Sequence, residues 1–495
     1  MSLNAFKKNW PLWAGLLIFI VHFVLSYYGQ WRYHYPIAPG DDIFNHLKLI
    51  SDLELGQPTT LGGSHYPSGL HSLILFLGGL FGVGSITVTA WLWPALLVLS
   101  GLAIFVLAQQ LFGLKVALVS YLLYALLSLQ PLQTAFDGSL ANLLAGNVIL
   151  PLTILFWAKT WVSSGKSRLV WVVLSALGTV AIALTHHLTT VVLVAALSVS
   201  GLVVLVDRLK TQGCARGLVI RNTIIYLLIV GAAFAAFWFS PAATPVKDLL
   251  LAVEDISQAG KSWPIAAYFN RISFLIGLAG LAGLGYCSWA ILRGRVDQRW
   301  RTGLLVILVW AWIYFLGSLT SEVGEPERLG RDLAMPISII AGLSLSQLRL
   351  AWLGKAKYAV MVLLVIVALY DFSVKTKQLV RYNPMVRFSA ADVELRDANF
   401  DSYIKPLYLW ARNPAWNFLA KNEVATDKFT LVTHEQALTF LSQDTRSCVL
   451  ASLYKEGTWP PDLQEEDKIF ALEDLGATRA FILEDETKIW YSLCK

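Results

Sequence analysis

The chain has 495 residues, of which 56% are hydrophobic and only 15% charged, with a net charge of +6 and a mean hydropathy of +0.58. So few charges cannot cover the surface of a soluble protein of this length, which excludes an ordinary water-soluble enzyme and assigns the chain to the membrane. The positive excess reads as basic loops on one side of a bilayer and not as a nucleic-acid footprint, and the four cysteines are too far apart for a metal or redox motif.

Apolar runs of roughly twenty residues recur, the length a helix needs to cross about 30 Å of hydrocarbon with every backbone group paired internally. They fall at about 10–30, 86–110, 115–131, 141–162, 169–186, 189–206, 222–240, 266–292, 303–320, 333–350 and 357–373. The first follows Lys7 and Lys8 and ends in Tyr27, Tyr28 and Trp31, as a signal anchor with an aromatic belt would, without a small-residue cleavage site. One further run, Gly69 to Val83, is Gly-rich, carries His71 and is short for a span.

Charge decides how that short run is read. If it does not cross, the basic clusters at Lys115, Lys166–Arg168, Arg208–Arg221, Arg293–Arg301 and Lys355–Lys357 all fall on the side of the N-terminus. If it crosses, every one is translocated, against the positive-inside rule. The expectation is a half-inserted helix on the outer face, roughly eleven spans and a cytoplasmic N-terminus, with the unusual polar residues gathered on the outer face.

The first outer loop reads Ala38-Pro39-Gly40-Asp41-Asp42, and Ile43, Leu47, Ile50 and Leu53 then follow a helical period, predicting an amphipathic helix along the membrane surface. Asp42 and His46, four apart, share a face, and the dipole at a helix start keeps a carboxylate ionised, ready to accept a proton or hold a cation. Asp41 serves equally well as a simple helix cap. His65, Tyr66 and His71 surround Pro67, which can open a short helix; they suit a sugar or phosphate, or plain interfacial anchoring. Asp137-Gly138 lies in the next outer loop, and His186-His187 at an outer helix end suits a phosphate, a metal or satisfied packing. Arg328 and Arg331 run against the charge bias of a translocated loop, which points to an anionic partner such as a phosphate, or to salt bridges with Glu325 or Glu327.

From about Ser373 the composition changes to 15 basic and 18 acidic residues, net −3. Strands are predicted at Phe429–Thr433, Ser447–Leu453 and Ala480–Leu483, with helices at Glu435–Leu441 and Gln464–Leu475, a small α/β domain over 374–495. Cys448 and Cys494 both lie in it, and an oxidising compartment would allow them to pair.

Three motifs in this order resemble the GT-C superfamily of membrane glycosyltransferases. They are Gly40-Asp41-Asp42 in the first outer loop, Tyr66-Pro67-Ser68-Gly69-Leu70-His71 opening a short outer helix, and Asp137-Gly138 followed by Leu143-Leu144-Ala145-Gly146-Asn147-Val148-Ile149-Leu150-Pro151. The turn Ala108-Gln109-Gln110-Leu111-Phe112-Gly113 is similar too. The resemblance covers residues 10–190 best and the tail only in architecture. It implies a mainly α, polytopic transmembrane domain (1–373) with a small C-terminal α/β extracytoplasmic domain (374–495), in the plasma membrane of a prokaryote. It also implies an inverting transferase that moves a sugar from a polyprenyl-phosphate carrier to a glycan, lipid or protein acceptor. In that scheme Asp42, or its rival Asp41, is the general base, and Arg328 and Arg331 meet the departing lipid phosphate. A divalent metal is compatible with the resemblance, but no metal is assigned. The lysine or paired prolines of the aminoarabinose and mannosyl branches are replaced by Tyr66-Pro67-Ser68, and no Trp-Trp-Asp of the oligosaccharyltransferases occurs. The alternative is a transporter or lipid flippase, which should show duplicated halves or intramembrane charges; the nearly uncharged span interiors speak for surface chemistry on a lipid substrate.

Overall fold

The computed structural model describes residues 3–33, 40, 42–61, 64–211, 263–320, 326–347 and 356–382, together with five short strands in the tail. The expected span at 222–240 and the two expected tail helices lie outside the described residues.

Helix α1 (Leu3–Tyr33) leads to α2 (Asp42–Glu54), a two-residue hairpin of β1 (Thr60–Leu61) and β2 (Ser64–His65), and α3 (Gly69–Phe81). On α2 the predicted stripe is real: Ile43, Leu47 and Ile50 are buried. On α3, Leu70, His71 and Ile74 face protein while Phe76, Leu80 and Phe81 stay exposed. Thirteen residues reach only about 20 Å, short of the roughly 30 Å of a hydrocarbon core.

The long helices follow: α4 (Ser85–Phe112), α5 (Leu114–Leu127), α6 (Gln130–Phe136), α7 (Leu140–Val162), α8 (Gly165–Thr185) and α9 (His187–Thr211). After α10 (Ile265–Ala267, continued by a π-helical turn over Tyr268–Ile272) come α11 (Phe274–Leu292), α12 (Gln298–Leu319), α13 (Pro326–Asp332), α14 (Ala334–Ser346) and α15 (Ala356–Tyr382). Among the described residues eight helices are long and apolar enough to cross a membrane, and α5 with α6 forms a ninth, bent by 41°. The bend is local: Leu122–Leu127 is π-helical, Ser128 is extended, and the Leu129 amide donates to the Ile272 carbonyl at 2.9 Å. The expected span at 333–350 is the 13-residue α14, whose residues from Ala334 to Leu343 are all buried within protein.

The core is built from α4, α5, α7, α12 and α14, with Trp310, Tyr124 and Tyr314 almost wholly enclosed. Helix α15 is peripheral, and two buried charges tie it on at helix ends. The Asp371 carboxylate accepts from Ser273 Oγ at 2.6 Å and from the Phe274 and Leu275 amides at 3.1 and 3.0 Å, closing the N-terminus of α11. Lys375 Nζ donates to the Ala125 carbonyl at 2.6 Å, in the last turn of α5. Acid at an N-terminus and base at a C-terminus both oppose the helix dipole.

In the tail, β3 (Leu407–Trp410), β4 (Thr430–Leu431), β5 (Cys448–Tyr454), β6 (Thr478–Glu484) and β7 (Lys488–Cys494) form one sheet in the order β4-β3-β5-β7-β6. The first two pairings are parallel and the last two antiparallel. The three predicted strands are present; β3 and β7 are additional. Register places Cys448 opposite Cys494.

Candidate functional site

Two glycine turns bring the start of α2 and the end of α6 together. Gly40 has φ +96 and Gly138 φ +77, the left-handed region in which a Cβ is strained. Their backbones are in contact: a Cβ on Gly40 would collide with Phe136 to Gly138, and one on Gly138 would come within 3.0 Å of the Asp42 amide. This apposition lets the Asp42 amide donate to the Asp137 carbonyl at 3.2 Å and starts α2 against the end of α6.

Asp42 is therefore a first-turn carboxylate, held by a neighbour that the motif reading did not single out. Its Oδ2 accepts from Ser139 Oγ at 2.8 Å, and Asn45 Nδ2 reaches Oδ1 at 3.5 Å. One turn along α2, His46 Nδ1 lies 3.1 Å from His71 Nε2 on α3. Tyr66 packs edge-on against both imidazoles and against His187, with ring centroids 5.7 to 6.0 Å apart. His187 stacks in turn on His186, whose Nδ1 lies 2.8 Å from Thr189 Oγ1. A close approach of α3 to α8 sets this up, since a Cβ on Gly69 would strike Thr185 Oγ1 and the Leu184 carbonyl.

These groups line a cavity of about 180 Å³ bounded by Asp42, Asn45, His46, Tyr66, Ser139, Asn142, His186, His187 and Arg328. The expectation thus brings Asp42, His46, Tyr66, His186, His187 and Arg328 together. His71 stands behind His46 as its hydrogen-bond partner. Asp137 and Arg331 form an ion pair with each other, with Arg331 mostly enclosed and Asp137 half-exposed, and neither lines the cavity. Of the acids expected beside the arginines, Glu327 pairs with Arg271, and Glu325 lies outside the described residues. Asp41 and the His65 side chain also lie outside them; His65 is placed only as the β2 partner of Thr60.

Sequence reasoning missed Asn45, Ser139, Asn142 and the buried Asp332. Asp332 Oδ1 accepts from Gln130 Nε2 at 2.8 Å, and Gln130 is itself fixed by Tyr124 Oη at 2.9 Å and Asn147 Nδ2 at 3.2 Å. An acid directly after Arg331, at the head of the apolar run that begins at Leu333, was the available signal. Burial pushes the Asp332 carboxyl above the usual carboxylate range, opposed by Arg331, the Gln130 hydrogen bond and Arg328. Burial also lowers His46 to about 4, assisted by Arg328, and His71 to about 3, assisted by His46 and opposed by the Pro67 carbonyl. Among the described residues no group of three or more His, Cys, Asp or Glu is placed to hold a metal ion.

Comparison of the sequence with protein-family models and with curated proteins gives no match. Solved structures do match. An oligosaccharyltransferase AglB from Archaeoglobus fulgidus, in complex with an inhibitory peptide and a dolichol-phosphate, superposes with TM-score 0.52 at 13% identity, over 90% of this chain and 69% of that one. ArnT from Cupriavidus metallidurans, bound to undecaprenyl phosphate, superposes with TM-score 0.56 at 13% identity, over 99% of this chain and 98% of that one. The chain has the GT-C fold. At such identity it is the fold that is shared.

Proposed function

We propose that this is an inverting glycosyltransferase that moves a sugar from a polyprenyl-phosphate carrier to an acceptor at the membrane face bearing the cavity. The observation that carries the reading is the placement of Asp42 and Arg328 in the walls of one cavity. An inverting displacement needs a base for the incoming hydroxyl and a cation for the outgoing phosphate, both in reach of one carbon. Asp42, placed at a helix start and held by Ser139, takes the acceptor proton. The acceptor oxygen then bonds to the anomeric carbon as the bond to the carrier phosphate breaks, and Arg328 meets the charge left on the lipid phosphate. Asn142, His187 and the Tyr66 ring face the sugar, in a space of about six water volumes. Arg331 acts at one remove, anchoring the Asp137 loop on which the Gly138 turn and Ser139 depend.

On this reading the chain has roughly eleven spans, a cytoplasmic N-terminus, and a tail domain (374–495) on the same face as the cavity, where it assists acceptor recognition. The similarity to ArnT and AglB, solved with undecaprenyl phosphate and dolichol-phosphate, supports a carrier of that class.

The test is transfer by purified protein from a panel of polyprenyl-phosphate sugars. Asp42→Asn should insert and fold normally, because a half-exposed carboxylate contributes little to stability, yet lose transfer by at least about a hundredfold. Arg328→Lys keeps the charge and loses the two-pronged grip, so donor use should weaken. Normal turnover in both Asp42→Asn and Asp41→Asn, with donor saturating, removes the base from this loop.

A further inference from the structure

A second and larger cavity lies far from the site. It is a groove of about 890 Å³ between α11, α14, α15 and the start of α12. One face of α11 lines it end to end: Leu275, Ala279, Ala282, Tyr286, Cys287 and Ala290 recur at helical spacing, a stripe about 22 Å long. Small side chains dominate this face, so the groove is a slot cut into the wall of the bundle.

The mouth of the slot is at the end of the bundle opposite the candidate site. Arg301 pairs there with Asp207 at 2.7 Å, and Trp300 meets Phe112. Arg295, Asp297, Arg299 and Trp300 line the mouth. The Arg295 guanidinium stands 4.7 Å over the Trp289 ring, and that of Arg299 5.0 Å over Trp300. Among the described residues that line the mouth, Asp297 is the one acid, and it pairs with Arg299 at 2.8 Å. Along its length the slot is flanked by the outer face of α15, where Met361, Val362 and Val365 are exposed apolar side chains.

We propose that this slot binds a single anionic phospholipid of the leaflet on the Arg295 side, with one acyl chain lying along α11 and its phosphate at Arg295 and Arg299. Charge complementarity selects the occupant. The 293–299 turn carries three arginines against one aspartate, and paired guanidiniums between membrane helices favour an anionic headgroup over a zwitterionic one. The aromatic rings beneath the guanidiniums hold them at headgroup depth, where indoles concentrate. An apolar groove along α11, with Ala279, Ala282 and Gly283 leaving room on one wall, accommodates a flexible hydrocarbon chain. The proposal does not depend on the function assigned to the other cavity.

The experiment is native mass spectrometry of the full chain released from detergent, titrated with phosphatidylglycerol and phosphatidylethanolamine of identical chains. One phosphatidylglycerol should be retained at least about tenfold more tightly. The Arg295→Gln/Arg299→Gln double variant should lose that preference, while Arg295→Lys/Arg299→Lys should keep most of it. Ala282→Trp fills the slot from an exposed position and should weaken both lipids equally. Monodisperse elution of each variant excludes misfolding as the cause. Equal retention of the two lipids, a preference that survives in the glutamine variant, or displacement of the phospholipid by a polyprenyl phosphate in an Ala282→Trp-sensitive manner would overturn the assignment.

Discussion

His46 and His71 share one ring-to-ring hydrogen bond at 3.1 Å, and two imidazolium ions cannot share such a bond, because each would offer only donors. Burial lowers both groups, to about 4 and about 3, while in the unfolded chain each titrates near 6.5. Between those values the unfolded chain binds more protons than the folded one, so stability is full above pH 6.5 and falls as pH drops toward 4. The thermal midpoint should therefore decline over that window, and His46→Gln should flatten the decline relative to the parent; an unchanged slope would mean that the pair is not held neutral. This pairing was only half legible in the sequence. The i, i+4 spacing placed His46 on the face of Asp42, but nothing local could announce a partner 25 residues away. Arg328 and Arg331 show the same limit. Their spacing was readable, yet which one faces the cavity depends on Asp137, which reaches Arg331 across 194 residues of sequence.

At the level of elements, the turns hold the site together more than the helices do. Gly138 meets two demands at once, a φ of +77 and contact with the start of α2. Gly138→Ala should destabilise by at least about 1 kcal/mol and also depress transfer, because it forces α2 and Asp42 away from Ser139; a stability loss with turnover intact would detach the loop apposition from catalysis. The length of the apolar runs read most of the described spans well, since those runs are long and uniform. It could not show that the run after Leu114 breaks at Ser128, because that break is fixed from outside, by Ile272 and the Gln130 network. In the tail, opposed residues of an antiparallel pair have Cα atoms about 4.5 or 5.5 Å apart, both within disulfide range. The register of Cys448 opposite Cys494 therefore predicts a disulfide contributing about 2–4 kcal/mol. Gel mobility should shift on reduction, and two freely alkylated thiols without reduction would exclude the bond.

For the whole molecule, one short helix determines the sidedness of everything after it. Helix α3 has thirteen residues, a buried face carrying His71 and an exposed face of Phe76, Leu80 and Phe81. That geometry suits a helix entering and leaving by the same face. The start of α2, the end of α6, the α8–α9 junction and α13 meet at one cavity, so these chain reversals share one end of the bundle. The Phe112–Leu114, Val162–Gly165 and Leu292–Gln298 connections then belong to the other end, where the basic clusters lie. Two exposed positions separate the alternatives without disturbing either glycine turn. Leu55→Cys follows α2 on the cavity side, and Ser167→Cys lies in the first turn of α8 at the opposite end. In intact cells an impermeant thiol reagent should label Leu55→Cys, and Ser167→Cys only after permeabilisation. The reverse pattern would place the cavity on the cytoplasmic face, where a carrier-linked sugar donor would have to be presented from the other leaflet. Labelling of both positions would show that α3 crosses after all, and the positive-inside argument would fail with it.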